Sequence, residues 1–322
     1  MEFQILISNL TNPQLLFFAL GTFAVWVKSD LEIPESSSKF ISLYLLFAIG
    51  FKGGQELAHS GITPEIIYSI LFGVAIASLI PLYTFFILKR KMSISDSGAV
   101  AAAYGSVSAV TFVTAASFLE MQKISFGGHM VAVMSLMESP AIIMGIILMM
   151  IYDADARSKI KFAETIKHSF TNGSVLMIMG SLIIGIIADS KQAEGIKPFT
   201  TDIFKGFLAI FLLEMGMVTA KRLSSFRKHG WFATLFAIFI PMLNGCVVAV
   251  LSGLFIHDIG NRFMLSILAA SASYIAVPAA MRLAAPKADP GLFIPMALGI
   301  TFPFNITIGM PLYYFIVVQT AM

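Results

Sequence analysis

The sequence has few charged residues and almost no cysteine, and each shortage excludes a class of protein. Only 12% of its 322 residues are Asp, Glu, Lys or Arg, against about a quarter in soluble domains. Because Cys246 is the only cysteine, neither an intrachain disulfide nor a cysteine-based metal site is expected. The net charge of +3 is small and dispersed, which argues against nucleic-acid binding. The P-loop, GxGxxG and HExxH motifs are missing and the five histidines are scattered, so an enzyme is the weakest interpretation.

The chain is instead rich in long apolar runs. Its residues are 57% hydrophobic with a mean hydropathy of +0.87, which is typical of a polytopic helical membrane protein. Charges, prolines and glycines divide the chain into ten predicted spans. These are residues 13–29, 37–57, 65–88, 97–119, 129–151, 172–190, 201–220, 231–256, 262–283 and 291–319.

The basic residues predict how the spans are oriented. Of the 21 lysines and arginines, fifteen fall in loops that follow odd-numbered spans and six fall on the other side. The positive-inside rule therefore places both termini outside the cytoplasm. No Lys or Arg precedes the first span, so a cleaved signal peptide is not expected.

Weak similarities recur at a spacing of about 165 residues. They pair Gly50 with Gly216, Ser106 with Ser271, Ser108 with Ser273, and Gly145 with Gly309. Five spans in each half is an odd number, so the second half must cross the membrane in the opposite sense. We therefore predict two inverted repeats, residues 1–151 and 169–322, joined by a cytoplasmic linker at 152–168. Such repeats are typical of secondary transporters, with the site at the midplane between them.

The fourth and ninth predicted spans contain polar centres, GSVSAVTF at 105–112 and ASASYIAV at 270–277. Gly105 in the first and Pro278 after the second favour a break in each helix. Broken helices expose N–H groups that hold an anion and carbonyls that, with hydroxyls, coordinate Na⁺. The alternative is packing, since small residues let membrane helices approach and serine hydroxyls bond back to their own helix.

Two further features lie inside predicted spans. Glu138 is the strongest ionisable candidate, because a charge within the membrane is costly and is usually kept for function. In the last span, Thr301 and Asn305 flank Pro303, which predicts irregular backbone there.

Three stretches resemble the sodium-dependent bicarbonate transporter family known from cyanobacteria. They read IPESSSKFISLYLLFAIGFKGGQELAHSGIT (33–63), GSVSAVTFVTAASFLEMQKISFGGHMVAVMSLMESPAII (105–143) and AASASYIAVPAAMRLAAPKADPGLFIPMALGITFPFNITIGMPLY (269–313). The resemblance includes the FKGG turn, the LEMQKIS junction and an acid-x-Pro-Ala motif that begins at Glu138. It implies an all-α fold of ten transmembrane helices, in two inverted five-helix repeats divided into a mobile core and a gate, an elevator-like mechanism and a homotrimer.

The resemblance also implies Na⁺-coupled bicarbonate uptake and a set of site residues. For the substrate these are Gly105, Ser106, Ser108, Ser271, Ser273 and Tyr274, and for the ion Ser108, Thr111, Glu138, Ser273 and Asn305. Tyr274 departs from the pattern, since the family resemblance leads one to expect an acid there. Regulation by a small PII-like protein is also implied, although the linker is shorter than in cyanobacterial members, which argues against it.

The sequence thus predicts a secondary transporter in a bacterial inner membrane, with Na⁺ as the coupling ion and no other cofactor or metal. A small anion, bicarbonate or a relative, is the expected substrate. Two alternatives stay open, namely a carrier of another organic anion on the same scaffold and a membrane sensor that binds an anion without moving it.

Overall fold

The computed structural model describes residues 13–60, 63–153, 167, 171, 173–226 and 230–321, and within these ranges it is helical with no strand. The predicted linker 152–168 and the segment before Pro13 lie almost wholly outside the described residues. The helices are α1 (Pro13–Trp26), α2 (Glu35–Ser60), α3 (Pro64–Leu88), α4 (Ile94–Gly105), α5 (Ala109–Met121), α6 (His129–Tyr152), α7 (Gly173–Ile187), α8 (Ser190–Lys197), α9 (Phe204–Phe226), α10 (Gly230–Leu251), α11 (Ile259–Ala269), α12 (Ala276–Ala284) and α13 (Pro290–Gln319).

Local capping explains where several helices begin. Ser93 precedes α4, and its hydroxyl accepts a hydrogen bond from the backbone N–H of Asp96 at 3.0 Å. Asp258 precedes α11 and accepts from the N–H of Asn261 at 2.7 Å. Each side chain satisfies one of the N–H groups that a helix start leaves without an intrahelical partner.

Length and hydropathy identify six helices among the described residues that are apolar enough to cross a membrane. They are the stretches 64–88, 94–121, 129–152, 190–221, 230–254 and 290–319. Three shorter apolar helices accompany them within α1, α7 and α11. The chain is therefore a multi-pass helical protein, and the count of ten spans stays a prediction.

Four helices form a group that we call the crossed group: α1, α2, α7 and α9. Within it α1 packs along α9, and α2 packs along α7. Both contacts depend on glycine. A Cβ on Gly54 of α2 would overlap the carbonyl oxygen of Leu182 in α7, and one on Gly216 of α9 would overlap that of Phe18 in α1. Bare backbone at these points lets the helix axes approach closely, as small residues do in membrane proteins.

A second group, which we call the broken-helix group, consists of α3 to α6 and α10 to α13. Its centre is the stretch 94–121. In the most apolar part of this stretch, 89% of the residues are buried within the protein. Ala99, Ala101 and Ala103 of α4 are fully buried. A helix that is enclosed by protein on every side can interrupt its hydrogen bonding, because lipid does not reach the freed backbone groups.

The last helix, α13, is irregular where the sequence predicted irregularity. Two π-helical segments, Met296–Thr301 and Asn305–Gly309, flank Pro303. Proline has no N–H to donate and its ring crowds the preceding turn, so the helix widens around it. Two residues of these segments, Thr301 and Asn305, point polar groups at the protein interior, where they are almost completely buried.

The glycine contacts predict a position-specific loss of stability. We expect Gly54→Ala to cost about 1–3 kcal/mol, because the added methyl group must push the carbonyl of Leu182 away. Gly180→Ala in α7 is the matched control, since a Cβ there meets nothing within 4 Å. Thermal unfolding in detergent should show a lower Tm for Gly54→Ala only. Equal Tm values for the two variants would contradict the close packing of α2 on α7.

Candidate functional site

The fourth and ninth predicted spans are both interrupted. α4 ends at Gly105 and α5 begins at Ala109, while α11 ends at Ala269 and α12 begins at Ala276. The breaks that the two polar centres predicted in the sequence are therefore present. Each divides a span into two half-helices, and the second half-helix of each span begins at the break.

The two breaks cross and satisfy each other's backbone groups. The N–H of Ser273 donates to the carbonyl of Ala103 at 2.8 Å, and the N–H of Ser108 donates to Oγ of Ser271 at 3.0 Å. The Ser271 hydroxyl in turn donates to the carbonyl of Leu268 at 2.8 Å. An unpaired backbone group inside the protein would cost several kcal/mol, so these bonds are what allow both helices to open at one place.

Asn305 of the last helix supplies a further partner for the backbone at the breaks. Its Nδ2 donates to the carbonyl of Ala270 at 2.7 Å, and its Oδ1 accepts from the hydroxyl of Tyr313 at 3.2 Å. Asn305 is fully buried. In this arrangement the amide holds the ninth-span break in place, and ion binding by Asn305 stays a prediction.

A small cavity of about 30 Å³ lies beside the crossing. Both helix groups contribute to its wall. The lining residues are Val107, Ser108, Ala109, Met134, Ser135, Glu138, Ser273, Tyr274 and Ile275 from the broken-helix group, with Leu46, Ser174 and Ile178 from the crossed group. This volume fits a solute of a few non-hydrogen atoms or one or two water molecules.

Four of the predicted site residues line this cavity together, namely Ser108, Ser273, Tyr274 and Glu138. They come from α6 and from both breaks, so residues up to 166 positions apart in the sequence meet at one point. This convergence is the main geometric support for a shared site.

The other predicted residues lie behind the cavity. Gly105 packs on α3, where a Cβ would overlap the ring of Pro81. Ser106 is fully buried, and its hydroxyl has no partner among the described residues. The N–H of Thr111 donates to Oγ of Ser108 at 3.2 Å, which caps α5. These positions shape the break, and direct ligand contact by them stays a prediction.

Sequence reasoning missed two polar lining residues, Ser135 and Ser174. A signal existed for Ser135, because it lies three residues before Glu138 and therefore shares a helix face with it. Ser174 stands at the start of α7, in the crossed group, and no pattern in the sequence links it to the breaks.

The cavity combines two partial positive charges with one carboxyl group. The N-terminal ends of α5 and α12 both border it, at Ala109 and at Ile275. A helix N-terminus carries about half a positive charge, and the N–H of Ala109 has no acceptor among the described residues. Glu138 is the single acidic or basic residue among the described lining residues. The arrangement can accept an anion at the helix ends and a cation at the carboxylate.

Asn305 offers a test of the break. We expect Asn305→Leu to lower the free energy of unfolding by about 1–3 kcal/mol, because the carbonyl of Ala270 loses its donor. Thr307→Val is the control, since the Thr307 hydroxyl bonds only within its own helix, to Pro303 and Phe304. Thermal unfolding with and without Na⁺ separates the two roles of Asn305. A loss that appears only when Na⁺ is present would identify Asn305 as an ion ligand instead.

Comparison with known proteins gives a family match. Residues 13–318, nearly the whole chain, match the family model described as the Na⁺-dependent bicarbonate transporter superfamily. The match confirms the resemblance that the three sequence stretches indicated, and the family is one of transporters rather than enzymes. A search of curated proteins finds no match.

Proposed function

The chain belongs to the Na⁺-dependent bicarbonate transporter superfamily, and from this premise we propose that it couples Na⁺ entry to the uptake of bicarbonate or a similarly small anion. The convergence of both helix breaks on one small cavity carries the proposal. Ser108, Ser273 and Tyr274 bind the anion, and Glu138 binds the cation.

The anion is held by backbone dipoles and hydroxyl groups. The ends of α5 and α12 supply N–H groups and partial positive charge, while Ser108 and Ser273 supply hydroxyl donors. The described lining contains no Lys or Arg, so the anion is bound without a fixed ion pair. Weak, reversible binding of this kind suits a carrier, which must release its substrate on the other side. The volume of about 30 Å³ favours small ions over a larger organic anion.

A bound cation offsets charge repulsion in the same cavity. An anion beside the Glu138 carboxylate would be repelled at short range unless a cation lies between them. Na⁺ prefers oxygen ligands, as other hard cations do, and Glu138, Ser108 and Ser273 provide them. The acid that the family resemblance leads one to expect at position 274 is absent, and Glu138 of α6 is the carboxyl group in the described lining. Anion and cation then bind better together than either does alone, which is the thermodynamic basis of coupling.

The arrangement of the helix groups supports an elevator-like movement of inverted repeats. The order of a short helix, a long helix, an unbroken span, a broken span and a final span occurs once before the linker and once after it. The cavity lies where the broken-helix group faces the crossed group. In the proposed mechanism the broken-helix group carries the bound ions past the crossed group, which stays fixed. A homotrimer, a bacterial inner membrane location and non-cytoplasmic termini complete the proposal as predictions.

Serine substitutions test the shared site. We expect Ser108→Leu and Ser273→Leu each to reduce uptake of labelled bicarbonate at least 100-fold, because the larger side chain fills the cavity. The assay uses proteoliposomes with an inward Na⁺ gradient. Ser78→Leu in α3 is the control, because its hydroxyl bonds only to Val74 of the same helix.

Two results would contradict the proposal. Normal uptake by both cavity variants would mean that these serines serve packing alone, and absence of Na⁺ stimulation in the unsubstituted protein would remove the symport. Labelled acetate in the same assay addresses the alternative of an organic-anion carrier. Anion binding without any flux would identify a sensor.

The Na⁺ dependence of uptake tests the proposed role of the Glu138 carboxylate. We expect Glu138→Gln to raise the Na⁺ concentration for half-maximal uptake about ten-fold, equivalent to about 1.4 kcal/mol of lost Na⁺ binding. Asp30→Asn, on an exposed loop between α1 and α2, is the control that removes an acid elsewhere. An unchanged Na⁺ dependence in Glu138→Gln would show that the carboxylate has no part in coupling.

A further inference from the structure

A second and larger cavity lies farther along the same helices, toward the end of α5. Its volume is about 380 Å³. The two cavities share three helices and are offset along each of them. On α2 the lining passes from Leu46 to Ile49, and on α6 it passes from Met134 to Val131, one turn in each case. On α5 the lining passes from Ala109 to Ala116, about two turns, so the larger cavity is a neighbour of the proposed site. By the positive-inside prediction it opens on the non-cytoplasmic face.

Three lysines line this larger cavity, each from a different element. Lys52 comes from α2, Lys205 from α9 and Lys123 from the loop after α5. The smaller cavity has no Lys or Arg in its described lining. Positive side chains are thus placed along the approach to the proposed site and are kept out of the site itself.

The backbone of Lys123 has an unusual conformation. Its φ is +57°, in the left-handed region that glycine adopts freely and other residues avoid. The backbone N–H of Lys123 donates to the carbonyl of Glu120 at 3.0 Å, and the N–H of Ile124 donates to the carbonyl of Leu119 at 3.0 Å. These two hydrogen bonds define a Schellman cap. Glycine is the usual residue at this position of such a cap.

Of the three lysines that line the cavity, Lys123 is the one without a nearby acidic side chain among the described residues. Lys205 lies 2.7 Å from Glu120, and Lys52 stands one helical turn from Glu56. Lys123 has no carboxylate within 4 Å among the described residues. Lys123 is an exposed residue that lines the cavity, so it is available to an ion there.

We propose that the larger cavity is an entry site for a small monovalent anion, with Lys123 as its principal charged ligand and Lys52 as a second. The site rests on the proposed function, since it collects the anion that the smaller cavity then binds. Positive charge in a partly enclosed cleft raises the local concentration of anions and the rate at which they arrive, most strongly at low ionic strength.

The first test measures anion binding without transport. ³⁵Cl NMR of the detergent-solubilised protein in chloride should show excess line broadening that bicarbonate reverses. We expect Lys123→Gln to remove at least half of this broadening. Lys28→Gln is the matched control, because Lys28 also has a φ of +57° in the same type of cap after α1 but lines neither cavity. Equal broadening in the two variants would overturn the entry site.

The second test measures bicarbonate uptake into proteoliposomes. We expect Lys123→Gln to raise KM about three- to ten-fold at low ionic strength and by less in high salt. Lys123→Arg should restore the KM, and Lys28→Gln should leave it unchanged. A KM unaffected by Lys123→Gln would contradict the entry role.

The two proposals can fail separately. If the unsubstituted protein takes up no bicarbonate but its chloride broadening depends on Lys123, the proposed substrate is wrong and the anion site stands.

Discussion

Backbone N–H and carbonyl groups inside a membrane protein must find partners within the protein, and this constraint organises the centre of the structure. A single broken helix would leave several such groups unpaired at the midplane. Two broken helices that cross can supply partners to each other, as Ser273 does with Ala103 and Ser108 does with Ser271. Asn305 adds a further donor from α13. The breaks are therefore interdependent, and the cavity lies beside their crossing.

The same constraint determines what the cavity can bind. Wherever a helix begins at a break, its first N–H groups are directed away from the helix body and carry partial positive charge. Two helices begin at this cavity, and Glu138 faces them from α6. In the proposed function an anion and a sodium ion neutralise this arrangement jointly. Binding one ion makes the other more favourable, so the site itself couples their movement.

Hydropathy and helix-breaking residues in the sequence predicted the helix boundaries well. The spans predicted at 65–88 and 291–319 correspond to Pro64–Leu88 and Pro290–Gln319. The breaks were predictable because Gly105 and Pro278 are local signals. The partners of the breaks were not, because a hydrogen bond from Asn305 to Ala270 depends on how distant helices pack. Ser174 entered the cavity wall for the same reason, through the packing of α7 on α2.

Coupling between the two ions can be measured most directly as ²²Na⁺ entry into proteoliposomes with the membrane potential held at zero. If one cavity binds both ions, ²²Na⁺ uptake should require bicarbonate outside and should saturate with its concentration. A sodium flux that is the same with and without bicarbonate would contradict a shared site at the two helix breaks. Bicarbonate entry without any sodium flux would contradict it as well.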